Sequence, residues 1–317
     1  MLEVFLRTGL YHSFRLPDGR VLQGTLTLEQ LEARLKAFGL PDDLTGKRVL
    51  DIGPWDGYFT FEMERRGAEV VAIDYVDLDT FRELHRAFDS QAEYHRMDVY
   101  ELEPHKFGMF DIVLCLGVLY HLKHPLLALE KICAITREIC VVDSFVCDGE
   151  EYLDGQRPHL PYIEFYENDQ LAGQLDNWCG PSVTAVEALV RAAGFARARL
   201  QRVTERTAIV AADRKWGALP VSEPPLELVG LHCHAHGGKY FQSQKEEYFA
   251  ILCRWSQPEA PPLETVFPEV DQYGVAPLAC KLTPAGLAVS ARVPPGLTPG
   301  EHTVRLKIGS SGWSDPI

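Results

Sequence analysis

Strand-length apolar runs alternating with helical patterns, from about Lys47 to Arg214, predict an α/β fold built on a mostly parallel sheet covered on both faces. After Gln257 the composition changes: ten of the chain's 21 prolines fall there and the apolar residues alternate, which predicts a small all-β module. A hairpin and helix pattern ahead of the first core strand predicts an N-terminal cap. The organisation expected is a cap over residues 1–45, an α/β domain with inserted segments over 46–257, and a β-sandwich-like accessory module over 258–317.

In the cap, Tyr11 to Leu16 and Val21 flank Pro17-Asp18-Gly19, a hairpin turn. Thr27 and Gln30 make a capping box, and Leu28, Leu31, Leu35 and Phe38 recur at helical spacing until Gly39 stops the run. The first core strand, Val49-Leu50-Asp51-Ile52, breaks at Gly53-Pro54-Trp55-Asp56-Gly57 and resumes as a helix. The second, Glu69 to Asp74, ends on an acid. A helix near Asp79 to Phe88, a strand from Glu93 to Asp98 and a buried central strand from Phe110 to Gly117 follow. Pro125 opens a helix over Leu126 to Thr136, and Ile139 to Asp143 is the next strand. Ser182 caps a helix through Ala193, and Arg197 to Val203 with Thr207 to Ala212 closes the sheet as an antiparallel hairpin. Two long segments interrupt this order. The one between Cys147 and Pro181 is rich in acids, aromatics and prolines and reads as a substrate-covering insertion; the other, Lys215 to Lys245, is irregular.

The bend after the first strand sets the chemistry. A dinucleotide site wants G-x-G-x-x-G, so that the backbone can approach a pyrophosphate at a helix N-terminus. Here the glycines are Gly53 and Gly57, and Asp51 is read as sitting inside the turn, where a carboxylate repels a diphosphate and suits a cation such as the amino group and sulfonium of S-adenosylmethionine. Asp51-x-Gly53-x-x-x-Gly57, Asp74 and Arg96-Met97-Asp98-Val99 together resemble the first three motifs of class I S-adenosylmethionine-dependent methyltransferases. The resemblance implies a Rossmann-like core of seven strands with cofactor contacts from Asp51, Gly53, Trp55, Gly57, Asp74, Tyr75, Asp98, Val99 and Leu116. Asp74 would accept from the ribose hydroxyls and Asp98 from the adenine amino group, with Val99 beside the ring. Trp55 stands where that family has a third glycine, which sets an indole face against the methionine moiety.

Gly117-Val118-Leu119-Tyr120-His121-Leu122 follows the fourth strand, where the transferred methyl points. His121 is the candidate base, since an imidazole with an ordinary pKa of about 6.5 suits neutral pH, and Tyr120 is its candidate neighbour at the acceptor. Packing at a helix start is the alternative reading of His121. The segment Phe110 to Pro125, with Asn177-Trp178 and Gly194-Phe195, resembles a narrower family, that of the tRNA wobble-uridine carboxymethyl-transferring methyltransferases and their relatives of unassigned substrate, over roughly residues 10 to 215. The basic residues by which that family holds a carboxylated cofactor have no match here, so S-adenosyl-L-methionine is the expected cofactor. On the acceptor side, Tyr11 and His12 of the cap and Glu164, Glu167, Asn177 and Trp178 of the insertion are the candidates. His232, His234 and His236 share a face if they lie on a strand, but no carboxylate or cysteine partner stands at a recognisable spacing, so no metal is expected.

A net charge of −14 argues against a large phosphate-binding surface, so a small-molecule acceptor is expected and nucleic acid is not. The cluster Arg191, Arg197, Arg199, Arg202 and Arg206 fits a solvated strand face. No apolar run reaches the roughly eighteen residues that a membrane span needs, Met1 to Leu10 lacks the layout of a secretion signal, and the eight cysteines form no C-x-x-C pair; a cytoplasmic protein with no membrane partner is expected. The reading is methyl transfer to an oxygen or nitrogen of a small molecule or glycan precursor. Its rivals are an RNA-modifying enzyme and a catalytically silent cofactor-binding scaffold; a protein or glycan is the candidate partner of the C-terminal module.

Overall fold

The computed structural model describes residues 9–156, 160–235, 237–241 and 248–317. The chain forms two compact units, residues 1–189 with 199–211 and residues 190–198 with 212–317.

The first unit opens with β1 (Phe14–Arg15) and β2 (Val21–Leu22), paired antiparallel across the expected turn. Helix α1 (Leu28–Ala37) begins at Thr27 with both bonds of the capping box in place: Thr27 Oγ1 accepts from the Gln30 N–H, and Gln30 Oε1 accepts from the Thr27 N–H. Then come β3 (Arg48–Ile52), α2 (Tyr58–Arg65), β4 (Glu69–Asp74), α3 (Asp79–Ala87), β5 (Glu93–Arg96), α4 (Pro104–Phe107), β6 (Phe110–Leu116), α5 (Pro125–Ile135) and β7 (Thr136–Phe145). The insertion is more regular than its composition suggests. It holds α6 (Gly149–Leu153) and an antiparallel pair, β8 (Ile163–Phe165) with β9 (Cys179–Pro181). Helix α7 (Val183–Ala192), β10 (Arg197–Val203) and β11 (Thr207–Asp213) complete the α/β portion.

The expected seven-stranded sheet is present, in the order β10-β11-β7-β6-β3-β4-β5. The pairs β3–β4, β4–β5, β3–β6 and β6–β7 are all parallel. From β3 the chain builds outward through β4 to β5, then crosses back to lay β6 on the other flank of β3. Connections therefore diverge at the carboxyl ends of β3 and β6, and a crevice opens there. Strand β6 is buried from Phe110 to Cys115, as a strand covered on both faces must be. The cap helix does more than overlie this core. Leu31, Leu35 and Phe38 belong to the same apolar cluster as Val49, Met63, Leu114 and Val141, so α1 is held by the burial that holds the sheet.

The second unit contains β12 (Glu223–Pro225), β13 (Leu228–Cys233), β14 (Tyr248–Cys253), β15 (Val266–Val270), β16 (Tyr273–Gly274), β17 (Pro277–Thr283), β18 (Gly286–Arg292), β19 (Val304–Ile308) and β20 (Ser311–Gly312). A four-stranded sheet, β13-β14-β18-β17, and a three-stranded one, β16-β15-β19, share an apolar cluster that includes Phe249, Ile251, Val266, Val289 and Leu306. This is the expected all-β module, enlarged: it takes in β12, β13 and β14 as well as residues 258–317. Leu231 and Cys233 alternate inward on β13, but Gly230 before them and His232 between them mask the strand's apolar pattern. Among the described residues no helix is long and apolar enough to cross a membrane.

Because α1 is anchored at its start by two side-chain bonds, Thr27→Ala is expected to lower the stability of the chain by about 1 kcal/mol in urea unfolding.

Candidate functional site

Asp51 lies in β3 itself, not in the turn, which corrects the expectation. It is 1% exposed, and its Oδ2 accepts from the Thr60 hydroxyl of α2 at 2.6 Å. Burial pushes its carboxyl up to about 7; the Thr60 bond opposes that shift and the Asp74 charge adds to it. The turn that follows is shaped by close approach. Gly53 has φ +67°, and a Cβ there would stand 2.5 Å from Cγ2 of Val118 in the loop after β6. That glycine lets the two strand-end loops touch. Gly57 has φ +90°, with the Phe61 ring 2.7 Å from where its Cβ would be. Trp55, a large side chain 46% exposed, occupies the left-handed region at φ +53°. Its backbone N–H donates to the Asp74 carboxylate, as do those of Tyr75 and Val76, so the acid ending β4 ties down the turn after β3. Burial raises the Asp74 carboxyl.

Asp98 is the N-cap of a single 3-10 turn over Val99–Glu101. Its Oδ1 accepts from the Tyr100 N–H at 3.0 Å, and Glu101 Oε1 accepts from the Asp98 N–H at 3.2 Å. The strand expected to run to Asp98 stops at Arg96 because this cap takes over. Val99 is buried, Leu116 half-buried at the end of β6, and Tyr75 exposed.

Beyond Leu116 the chain bends at Gly117, whose N–H donates to the Asp143 carbonyl at 2.7 Å, and enters a 3-10 turn over Leu119–His121. The Tyr120 hydroxyl lies 3.7 Å from the place a Gly117 Cβ would take, over the junction of β6 and β7. Burial pushes that phenol up to about 12, with the charges of Tyr11 and Asp143 adding. His121 Nδ1 is 3.2 Å from the Asp176 carbonyl and 3.5 Å from Asp176 Oδ2. A proton on Nδ1 satisfies that carbonyl and leaves Nε2 with a free lone pair, the tautomer a base needs. The Trp178 N–H donates to the Tyr120 carbonyl at 2.9 Å. Two residues of the insertion thus hold the turn that carries Tyr120 and His121, and the Asp74 carboxyl feels the His121 charge, which joins this turn to the cofactor side.

Two participants, Arg34 and Asp56, have no signal in the sequence. Arg34 of α1 donates through Nε to Asp143 Oδ2 at 2.8 Å, and its Nη2 bonds the same oxygen. Burial raises the Asp143 carboxyl against the pull of that guanidinium. The pair spans 109 residues, so no local spacing reveals it. Asp56, 1% exposed, accepts on Oδ2 from the N–H of Tyr11 at 2.6 Å and of His12 at 3.1 Å. His12 sits among the rings of Phe14, Tyr58 and Phe59. Burial, helped by Arg34, pushes its imidazole down to about 3, so it is neutral at pH 7, and its Nδ1 is buried with no hydrogen-bond partner among the described residues.

In the insertion, Asn177 is buried and donates through Nδ2 to the Leu171 carbonyl at 2.8 Å, while Trp178 has the Lys123 ammonium 4.3 Å from its ring. Glu164 and Glu167 are exposed. Glu164 accepts from the Tyr166 hydroxyl at 2.7 Å, and the Glu167 N–H donates to the Gln170 side chain at 2.8 Å; among the described bonds neither reaches the turn after β6. In the second unit His232 and His234 have ring centroids 6.2 Å apart, and His234 Nε2 is 3.2 Å from Ser290 Oγ. His236 lies outside the described residues. Among those described, no three or more His, Cys, Asp and Glu side chains cluster to hold a metal ion.

Residues 25–197 match the profile of a family described as "Methyltransferase domain". A tRNA U34 carboxymethyltransferase of Ectopseudomonas mendocina is 35% identical over 159 residues, 48% of this chain and 46% of the relative. One from Pseudomonas aeruginosa is 36% identical over 163 residues, 50% of this chain and 47% of the relative. The chain spans about half the length of the curated relatives it matches. Among solved structures, the N-terminal domain of EvdMO1 with SAH bound aligns at a TM-score of 0.49 and 20% identity, over 67% of this chain and 94% of that one.

The backbone at Trp55 makes a separable expectation. Trp55→Gly should leave the urea midpoint unchanged or raised, whereas Trp55→Val should lower stability by about 1–3 kcal/mol, because a β-branched residue is strained in the left-handed region.

Proposed function

The chain belongs to the methyltransferase domain family, whose cofactor is S-adenosylmethionine, and from that we propose that it methylates an oxygen or nitrogen of a small molecule or glycan precursor. The observation that carries this reading is the set of carboxylates near the point where the connections diverge: Asp51, Asp56 and Asp143 are buried and Asp74 half-buried, Arg34 is bonded to Asp143, and His121 in the loop after β6 has Nδ1 turned to the Asp176 carbonyl.

That set of groups fits a cationic ligand and opposes a diphosphate. When bound, S-adenosylmethionine supplies an electrophilic methyl on a sulfonium, open to in-line displacement. Asp74 and Asp98 would hold its ribose and adenine, and Asp51, with the turn through Trp55, its methionine end. The residues of the loop after β6 then have two tasks. Tyr120 lies over the place where β6 ends and borders the acceptor. His121, oriented by the Asp176 carbonyl, takes the acceptor's proton on Nε2 as its oxygen or nitrogen attacks.

The insertion supports the choice of acceptor. Residues 147–178 carry eight carboxylates against a single arginine, a charge that repels a phosphate backbone and tolerates a neutral or cationic small molecule. A second reading, a tRNA base as acceptor, is favoured by the names of the relatives. Retention of tRNA that weakens steeply with salt would move the conclusion to it.

Three outcomes test the proposal. Titration calorimetry with S-adenosylhomocysteine is expected to give saturable binding, and its absence would remove the reading. His121→Gln should keep that binding but reduce methyl transfer from labelled S-adenosylmethionine to acceptor fractions by about a hundredfold or more; unchanged transfer would unseat His121. Because the Asp51 carboxyl titrates at about 7, a cation beside it favours the ionised form. S-adenosylmethionine affinity should therefore fall as pH drops below 7, by up to about tenfold per pH unit, and Asp51→Asn should flatten that profile.

A further inference from the structure

Asp56 belongs by its backbone to the turn between β3 and α2, yet its side chain serves the N-terminal segment 45 residues earlier. One oxygen, Oδ2, takes both the Tyr11 and the His12 N–H, and the Thr80 hydroxyl bonds the same carboxylate. Its described partners are N–H and O–H donors with no cation among them, and the side chain is almost wholly buried. Such a carboxylate holds its donors strongly and in a fixed direction.

Electrostatic coupling links the two residues it holds to the turn after β6 and to the end of the central strands. The Tyr120 phenol feels the Tyr11 charge, His12 feels Arg34, and Arg34 is paired with Asp143, which lies opposite Leu116 at the end of β6. His12 also brings a buried ring nitrogen that no described protein group satisfies. The segment is confined from its other side as well: a Cβ on Gly24 would stand 2.4 Å from the His12 carbonyl carbon, and the Leu26 N–H donates to the Tyr11 carbonyl at 2.7 Å. Meanwhile the turn that carries Asp56 has left-handed backbone on both sides of it, at Trp55 and at Gly57. The direction of the carboxylate depends on a backbone that ligand contact would fix.

We propose that Asp56 is a positioning residue that couples occupancy of the turn after β3 to the placement of Tyr11 and His12 in the acceptor wall. The inference rests on the reading that this turn holds S-adenosylmethionine, and adds an order to it: the cofactor enters first and completes the acceptor site. By reciprocity, a well-placed acceptor then tightens cofactor binding.

The test uses the full chain, with S-adenosylhomocysteine as probe, and follows amide hydrogen exchange in peptides covering residues 9–16 beside titration calorimetry. In the wild type, saturating probe should slow exchange at Tyr11 and His12 by about tenfold or more, the range of a charge-assisted hydrogen bond. Asp56→Asn, whose side-chain oxygen still accepts, should keep the effect. Asp56→Ala should exchange fast at these two amides with or without probe, while the amides of Val70 to Ile73 stay protected and report an intact sheet. Probe binding to the wild type with no change at Tyr11 and His12 overturns the coupling, even if Asp56→Ala fails to fold; so does a wild-type response in Asp56→Ala. No probe binding at all overturns the cofactor reading, and the coupling falls with it.

Discussion

Carboxylates buried or half-buried at the strand ends and in the turn after β3, each bonded by donors from a different part of the chain, hold the candidate site together. Asp51 draws the Thr60 hydroxyl of α2 onto β3; Asp74 gathers the N–H groups of Trp55, Tyr75 and Val76; Asp56 binds the N-terminal segment; Asp143 binds Arg34 of the cap helix. An ionised carboxylate removed from water is costly unless hydrogen bonds replace its hydration, and one left half-satisfied takes up a proton instead. All four carboxyls are accordingly raised by burial. The same acids therefore cross-link distant segments and leave the crevice electron-rich, a state that a cation relieves and a phosphate worsens.

The turn after β3 shows how that arrangement accommodates an unusual residue. A tryptophan in the left-handed region is strained by an amount on the order of 1 kcal/mol or more, and such a conformation persists only where its surroundings overdetermine it. Here they do. The Trp55 N–H is fixed by Asp74, Gly53 admits Val118, and the Gly57 N–H donates to the Pro54 carbonyl at 2.8 Å, closing a four-residue turn around Trp55 and Asp56. A glycine in place of Trp55 fits the backbone without strain but removes an exposed indole at the mouth of the crevice. Strain kept at that point fits a residue retained for contact with a ligand, as the proposed reading has it.

Much of the fold was legible because its signals are local. The apolar runs at Val49 and Phe110, the acid closing Glu69 to Asp74 and the Thr27–Gln30 capping box each lie within a few residues, and each became the expected element. Strand ends were less legible. Asp51 was read as part of the turn because strand and turn are contiguous in sequence, whereas its register opposite Ala72 and Leu114 puts it inside the sheet. Tyr120 and His121, adjacent in one motif, lie on one turn as their spacing implies, whereas contacts between two distant segments leave no local signal. Nothing near Arg34 announces Asp143, and nothing in the turn announces that Asp56 reaches Tyr11. The all-β module extends further for the same reason: the apolar pattern of Glu246 to Trp255 is local, but that β13 and β14 belong with β18 shows only in their pairing.

On the proposed reading, the insertion bears on what kind of acceptor the crevice can meet. Asp176 and Trp178, through their backbones, hold the turn bearing His121 and Tyr120, so the insertion and that turn are joined. An RNA acceptor brings phosphates to within a Debye length, about 8 Å at physiological salt, of the groups it meets. Two of the described cations beside this site are engaged: Arg34 by Asp143, and Lys123 by the Trp178 ring. The carboxylates of Glu164, Glu167 and Asp176 are exposed. Removing the insertion's charge would keep the backbone contacts at His121, which run through carbonyl and amide groups, but would take away the Asp176 carboxylate 3.5 Å from its Nδ1. On the proposed reading the same insertion therefore bears both on the charge an acceptor meets and on the orientation of His121.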